Sequence, residues 1–276
     1  MAIRTPGRRQ ATAASAPVDE DAWIEVAGLQ KLYRPRRSEP THALSDIGFT
    51  VRRGEFISIV GPSGCGKTTL LKILAGLIPK SEGVVRVAGR DVAKPLPEVG
   101  MVFQAATLLP WRTILENVMV PVEVQRLDAD VYREQARNLL NMVGLDGFGD
   151  KYPHELSGGM QQRAGICRAL VHDPSVLLMD EPFGALDAMT REYMNVELLR
   201  IWKESGKTVV LVTHSIPEAV FLSDRVIVLS SRPGRIAEIV PIELERPRDL
   251  SVMSSDRAGV YVARIRQHFN AAGVID

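Results

Sequence analysis

The sequence lacks the features that mark several large classes of protein. No apolar run approaches the roughly 18 residues that a membrane-spanning helix needs, so a membrane role would require a partner. Its two cysteines, Cys65 and Cys167, are too few for a disulfide framework and fit a reducing cytosol. The formal net charge is +1, so no strong overall field favours nucleic acid or an anionic surface.

Residues 1–21 also lack what a folded segment needs. They are rich in Ala, Thr, Ser, Arg and Pro, contain no continuous apolar stretch, and end before the first aromatic residue, Trp23. This composition predicts a disordered tail and excludes a secretory signal. A transit peptide is a weaker alternative, because Pro6, Gly7 and Pro17 would interrupt an amphipathic helix.

The remaining sequence has an ordinary globular composition, with 45% hydrophobic and 24% charged residues. Short β-branched runs alternate with helical patterns, which predicts a parallel sheet with helices on both faces. Two central runs are apolar at every position, as expected for strands covered on both sides. The predicted strands are Phe56 to Val60, Val99 to Phe103, Val176 to Met179, Val209 to Val212 and Val226 to Leu229.

Helical patterns suggest how the chain is divided. Helices are predicted at Thr68 to Leu77, at Tyr132 to Val143, from Ser215 onward and near Gly259 to Phe269. We therefore expect one domain over residues 22–242, with a helical subdomain inserted at about 104–170. Residues 243–276 are expected to form a short C-terminal extension.

One segment matches the phosphate-binding loop pattern G-x-x-x-x-G-K-[ST], from Gly61 to Thr68. Its glycines allow a tight turn whose N–H groups point inward, and the helix that follows directs its positive end at the same place. Lys67 would reach the β- and γ-phosphates, and Thr68 would ligate Mg²⁺. The alternative is a glycine-rich turn that has only a structural role and binds no ligand. The predicted nucleotide contacts here are Gly61, Ser63, Gly64, Cys65, Gly66, Lys67, Thr68 and Thr69.

Cys65 within this loop has two interpretations. It is either a small filler at a permissive position or a thiol whose pKa is lowered by the helix N-terminus.

Acidic residues end one of the apolar strands. Val176 to Met179 leads directly into Asp180 and Glu181. Because successive side chains on a strand face opposite ways, the two carboxylates should have different roles. Asp180 is expected in the Mg²⁺ shell, and Glu181 is expected to act as general base toward water. The alternative is a pair of solvated acids at a strand end.

A further motif, Leu156-Ser157-Gly158-Gly159-Met160-Gln161, is rare by chance. Ser157 and the Gly158–Gly159 backbone head a predicted helix and would form a second anion site. Together with the phosphate loop, the strand-end acids and His214 after the next apolar run, this motif resembles the nucleotide-binding subunits of ATP-binding cassette (ABC) transporters. The resemblance extends from about Trp23 to about Ile242.

This resemblance implies an α/β fold of the P-loop NTPase class. It consists of a RecA-like, mostly parallel sheet, an antiparallel β subdomain and an inserted α-helical subdomain. The implied cofactors are ATP and Mg²⁺. Each remaining motif residue takes a role by the same resemblance: Tyr33 stacks on adenine, Gln104 ligates Mg²⁺ or water and senses the γ-phosphate, Asp187 belongs to the D-loop, and His214 contacts the γ-phosphate and orients Glu181.

The resemblance also implies partners. Ser157, Gly158 and Gly159 would face the ATP of a second subunit, so that a homodimer encloses two ATPs. Leu108 to Trp111 would line a groove for a transmembrane permease, with subdomain core as the alternative. The protein would then lie peripherally on the cytoplasmic face of the bacterial inner membrane. A solute-binding protein would be an indirect partner, and no nucleic-acid partner is expected.

Three short segments resemble the sequences of ATPases from importers of nitrate, sulfonates and taurine. These segments are Leu109 to Arg112, Pro182 to Asp187 and Ser231 to Arg235. Two other functions remain open from the residues alone. A soluble ABC ATPase acting on DNA or ribosomes usually carries long coiled coils or two cassettes, and a P-loop phosphotransferase would not need Leu156 to Gln161 or His214.

Overall fold

The computed structural model describes residues 22–34, 39–184 and 186–270, so the predicted tail at residues 1–21 lies outside the described residues. The strands in this part are β1 Ala22–Tyr33, β2 Thr41–Arg52, β3 Phe56–Val60, β4 Glu82–Val87, β5 Arg90–Asp91, β6 Val99–Val102, β7 Val176–Asp180, β8 Thr208–Val212, β9 Arg225–Leu229 and β10 Ile236–Pro241. The α-helices are α1 Lys67–Leu74, α2 Ile114–Gln125, α3 Ala129–Met142, α4 Gly158–Leu170, α5 Ala188–Ser205, α6 Ile216–Leu222 and α7 Asp256–Asn270.

The described strands form two sheets of different character. One sheet has the order β10-β9-β3-β8-β7-β6, with parallel pairing from β9 to β6 and an antiparallel edge at β10. The other is antiparallel, in the order β2-β1-β4-β5. This architecture confirms the predicted α/β fold, with a mostly parallel sheet and an antiparallel β unit.

The central strands are buried on both faces. Every residue of β3, β7 and β8 is buried. Alternate residues of β7 belong to different cores: Leu177 and Met179 pack with the helices α2 to α5, whereas Val176 and Leu178 pack with α1 and the antiparallel sheet. The period-two alternation of side chains therefore serves two cores, which explains why the runs Val176 to Met179 and Val209 to Val212 are apolar at every position.

Helices α2, α3 and α4 follow one another between β6 and β7, within the stretch predicted to be a helical insert. The segment leading into α2 is held by Asn117, whose side chain is fully buried. Its amide oxygen accepts from the Leu109 N–H at 2.7 Å, and its amide nitrogen donates to the carbonyls of Leu109, Arg112 and Thr113. The turn at residues 109–113 is thus built on one side chain.

Helix α4 is tied to the segment after β6 at two points. Gln162 Nε2 donates to the Phe103 carbonyl at 3.0 Å. Further along the helix, the Arg168 guanidinium donates to the carbonyls of Ala106 at 2.7 Å and Thr107 at 2.9 Å. The residues that surround Gln104 therefore depend on α4 for their position.

The predicted bounds of α1 and α3 differ from the structure, and α7 also begins earlier than predicted, at Asp256. Helix α1 ends at Leu74 and not at Leu77, because Gly76 has a φ of +69° and a side chain there would overlap the backbone of Lys94. Helix α3 begins at Ala129, before the predicted Tyr132, because the Asp128 side chain accepts a hydrogen bond from Asp130 N–H and caps it.

The described residues of the C-terminal extension, which end at Asn270, pack on the sheet domain. Ile265 and Phe269 of α7 are buried with Val220 of α6 and Val240 of β10. The connecting segment is fastened by Arg248, which is only 7% exposed. Its guanidinium donates to the carbonyls of Val220, Phe221, Ser223, Ile242 and Leu244. Burial lowers the pKa of Arg248 to about 10.

We expect Arg248→Met to destabilise the fold strongly. The variant removes charge-assisted hydrogen bonds and leaves buried carbonyls unpaired, which costs at least about 2 kcal/mol in the free energy of unfolding. Urea denaturation at neutral pH measures this loss. The exposed Arg266 provides the matched control Arg266→Met, for which the change should stay within about 0.5 kcal/mol. Equal stabilities of the two variants would contradict the anchoring role of Arg248.

Candidate active site

Three parallel strands deliver the predicted residues to one edge of the sheet. The carboxyl end of β3 leads into the phosphate loop, β7 ends at Asp180, and β8 is followed by Thr213 and His214. Because β8 lies between β3 and β7 and all three run in the same direction, their last residues are neighbours. The sheet edge is therefore the place where separate sequence motifs meet.

The phosphate loop has the backbone geometry that a cradle requires. Gly64 and Gly66 have φ angles of +74° and +105°. At Gly66, which caps α1, a Cβ atom would lie 2.7 Å from Leu44 Cδ2 and 2.9 Å from the Ala43 carbonyl oxygen. Only glycine fits this position, so the N-terminus of α1 remains unobstructed by a side chain.

Lys67 lies in the first turn of α1 and is only 8% exposed. Its Nζ donates to the carbonyls of Gly61 at 2.7 Å and Pro62 at 3.0 Å. The ammonium group is thus held within its own loop, where it places a positive charge beside the loop's backbone N–H groups. Such a combination of charge and N–H donors attracts phosphate.

The environment of Cys65 distinguishes between its two interpretations. Cys65 is 1% exposed, and burial raises its pKa, an effect that the nearby Lys67 charge offsets only in part. Desolvation outweighs the helix N-terminus because the thiolate would be shielded from water. The structure supports the filler interpretation.

Thr68 and Asp180 meet at the end of β7. Thr68 Oγ1 donates to Asp180 Oδ1 at 3.0 Å, and Asp180 is 3% exposed. Burial raises the pKa of Asp180, although the Thr68 hydrogen bond lowers it. One hydroxyl and one carboxylate are hard oxygen donors of the kind that Mg²⁺ accepts together with phosphate oxygens. The described residues contain no group of three or more His, Cys, Asp or Glu that could hold a metal ion.

Glu181 is the centre of a polar cluster. Its Oε2 accepts from Gln104 Nε2 at 3.0 Å and lies 3.4 Å from His214 Nδ1. Its backbone has a φ of +48°, unusual for a residue other than glycine, and its N–H donates to the Val212 carbonyl at 2.8 Å. This turn of the chain after β7 separates Glu181 from Asp180, in keeping with the different roles expected for them.

A cavity of about 250 Å³ lies against the phosphate loop. Its lining includes eight of the residues that the sequence predicts: Tyr33, Ser63, Gly64, Gly66, Lys67, Thr68, Thr69 and Glu181. Tyr33 reaches the site through its hydroxyl, 3.4 Å from Thr69 Oγ1. The other lining residues are Thr41, Ala43 and Arg232, none of which sequence reasoning singled out as a site residue.

The remaining predicted residues lie outside this cavity lining. Ser157 caps α4 by accepting from the Met160 N–H at 3.3 Å, and a Cβ added to Gly158 would meet no atom within 4 Å. Asp187 caps α5 by accepting from the Thr190 N–H, and hydrogen bonds from the Thr190 hydroxyl and N–H lower its pKa. Ala185, in the segment from Pro182 to Asp187, lies outside the described residues. Within one chain, the Ser157 segment is therefore not part of the cavity beside Lys67.

Two further residues support the site without a motif that would reveal them. Arg191 donates to the carbonyls of Phe183 and Leu186 and so holds the loop that ends at Asp187. Glu218, 7% exposed, lines a small pocket with Glu181 and His214, and burial raises its pKa. Their roles depend on tertiary packing, which the spacing of residues in the sequence does not show.

Comparison with known proteins identifies the family. The ABC transporter family profile matches residues 44–184. An ABC transporter ATP-binding protein of Methanocaldococcus jannaschii is 52% identical over 82% of this chain and 84% of its own length. The chain belongs to the ABC transporter family. It is an ATP-binding ATPase of that family.

Other relatives of this ABC ATPase have more specific names. The taurine import ATP-binding protein of Escherichia coli is 45% identical over 79% of this chain and 85% of its own length. The aliphatic sulfonates import ATP-binding protein of Bacillus cereus is 39% identical over 91% of this chain and 98% of its own. A bacterial ABC transporter cassette solved as a dimer is 34% identical, with a TM-score of 0.73, over 80% of this chain and 100% of the cassette.

The burial of both thiols in this ABC ATPase leads to a testable expectation. Cys167 is fully buried, and burial raises its pKa as it does for Cys65. A colorimetric disulfide reagent should therefore titrate neither cysteine in the native protein and both cysteines after denaturation. Rapid reaction of one thiol in the native protein, with protection by ATP, would instead restore the activated-thiol interpretation of Cys65.

Proposed function

We propose that this ABC ATPase is the energy-coupling subunit of an importer for small organic sulfonates or related solutes. Relatives named for the import of taurine and of aliphatic sulfonates, at 45% and 39% identity, support this substrate class. No helix in the described part of the chain is long and apolar enough to cross a membrane. The proposal therefore includes a separate permease, at whose cytoplasmic face the subunit is peripheral, and a solute-binding protein that acts through the permease.

The position of Ser157 is the observation that carries the proposed mechanism. Ser157 heads α4 with unobstructed backbone at Gly158, yet its segment is absent from the cavity beside Lys67. An anion site at a helix N-terminus that is not used within its own chain can be used by a second copy. We infer a homodimer in which each ATP lies between Lys67 of one subunit and Ser157 of the other. The related cassette solved as a dimer, including its state with ADP and Pi, supports this arrangement.

Hydrolysis follows from the cluster at the sheet edge. Lys67 and the loop N–H groups bind the phosphates, while Thr68, Asp180 and Gln104 would hold Mg²⁺, whose charge polarises the phosphates when it is bound. Glu181 accepts the proton of the attacking water, and the hydrogen bond from Gln104 fixes the direction of its carboxylate. His214, close to the same oxygen, orients Glu181 and responds to the γ-phosphate. Tyr33 provides the stacking surface for adenine.

A groove beside helix α2 fits the permease contact. It has a volume of about 580 Å³ and is lined largely by apolar side chains of β6, α2 and their connections, Leu109 among them. Trp111 is 71% exposed, whereas Leu108 packs against the core. Within the stretch from Leu108 to Trp111, Leu108 therefore supports the interpretation as subdomain core, and Leu109 supports the interpretation as groove lining.

We expect Glu181→Gln to separate ATP binding from hydrolysis. Gln retains the size and hydrogen-bonding reach of Glu but does not accept the proton, and loss of a general base typically lowers the rate by about 10²–10⁴-fold. Lys67, Thr68 and Asp180 are unchanged, so MgATP still binds and contacts from Ser157 hold the dimer closed. Gel filtration with ATP should show a dimer for the variant and mostly monomer for the wild type.

Asp180→Asn is the control for this experiment, because it should lose Mg²⁺-dependent binding itself. Hydrolysis by Glu181→Gln at nearly the wild-type rate would place the base elsewhere, and His214 would be the next residue to test.

The shared site is tested directly by mixing two inactive subunits. Lys67→Ala and Ser157→Arg homodimers should each lack both sites, whereas a mixed dimer retains one site with Lys67 from one chain and Ser157 from the other. ATPase activity should therefore reappear on mixing. Because mixing depends on subunit exchange, the control is a covalently linked dimer of one Lys67→Ala and one Ser157→Arg subunit, made in either order. Inactivity of these linked dimers would contradict a site built from two chains.

A further inference from the structure

Arg232 lies at the phosphate loop, although it belongs to none of the motifs assigned to ATP hydrolysis. It follows β9 in sequence and is far from the loop along the chain. Its Nε donates to the Gly64 carbonyl at 3.2 Å, and its side chain lines the same cavity as Lys67 and Tyr33. Among the described residues, Arg232 makes no ion pair and no other hydrogen bond.

The backbone fixes the place of this arginine. Two residues later, the Gly234 N–H donates to the Ala43 carbonyl at 3.0 Å, and the Gly234 carbonyl accepts from the Ser45 N–H at 3.0 Å. A Cβ at Gly234 would lie 2.1 Å from the Cys65 carbonyl oxygen, so the turn lies directly on the phosphate loop. The segment after β9 is therefore fastened to β2 and to the phosphate loop, and Arg232 is presented by a rigid support.

The charges around the cavity indicate what the guanidinium binds. Lys67 and Arg232 are its two cationic lining residues, and Glu181 is its one acidic lining residue within the described chain. The Gly64 contact uses only Nε–H of Arg232, so the donors on both terminal nitrogens remain for a ligand. A guanidinium binds phosphate oxygens through two parallel N–H donors, a geometry that an ammonium group does not reproduce.

We propose that Arg232 is a nucleotide-binding residue, whose guanidinium contacts the phosphate chain of ATP while its Nε–H holds the phosphate loop at Gly64. It forms a second cationic contact, supplied by the segment after β9, in addition to Lys67. The proposal rests on the assignment of this cavity to ATP.

The test measures MgATP affinity of Arg232→Gln by titration calorimetry. Loss of one charge-assisted contact should weaken binding by about tenfold. Binding of inorganic tripolyphosphate should weaken in parallel, whereas competition by adenosine should be unchanged. The matched control is Arg235→Gln, an exposed arginine of the same turn that does not line the cavity, for which MgATP affinity should equal that of the wild type.

Two further variants distinguish the possible failures. Arg232→Lys retains the charge and should recover part of the lost affinity for MgATP and tripolyphosphate, whereas loss of a residue that only tethers Gly64 would weaken adenosine binding as well. Lys67→Ala should abolish MgATP binding. If it does so while Arg232→Gln binds MgATP like the wild type at an unchanged melting temperature, the role of Arg232 is refuted and the ATP site stands. If Lys67→Ala binds normally, the site assignment itself is wrong.

Discussion

Parallel pairing of three buried strands is the constraint on which the site depends. Because β3, β8 and β7 run side by side in one direction, residues far apart in sequence emerge together at one edge. The pairing in turn requires both faces of the sheet to be covered, since each strand is buried at every position. Helices α2 to α5 and the antiparallel sheet are thus needed for the chemistry even where they contain none of its residues.

Much of this arrangement was predictable because it is local in sequence. The positions of β3 and of β6 to β9 followed from apolar β-branched runs, and the phosphate loop from its glycines and Lys67, whereas β1, β2, β4, β5 and β10 were not placed. Helix ends were less accurate: α1 stops early because Gly76 turns against the backbone of Lys94, a contact that a periodicity argument does not contain. The fold class and the family were confirmed, whereas the functional roles of the individual site residues remain proposals.

The residues that sequence reasoning missed share one property. Arg232, Arg191 and Glu218 reach the site through long-range packing, and no spacing pattern links them to the motifs. For Arg232 the sequence did contain a signal, because a Pro-Gly pair flanked by arginines predicts a turn with exposed positive charge. The surface on which this turn lies is determined by backbone hydrogen bonds between Gly234 and β2. Cys65 shows the converse, because the sequence left both a small filler and an activated thiol open, and burial, which raises the pKa of the thiol, favours the filler.

Helix α4 has a consequence for how force is transmitted through the molecule. Ser157 caps its first turn, Gln162 and Arg168 grip the carbonyls of residues 103, 106 and 107, and the helix is continuous between them. A continuous helix moves as one body. Any displacement of Ser157 must therefore carry residues 103–107 with it, and because Phe103 and Thr107 line the apolar groove, a shift at the start of α4 changes the shape of that groove.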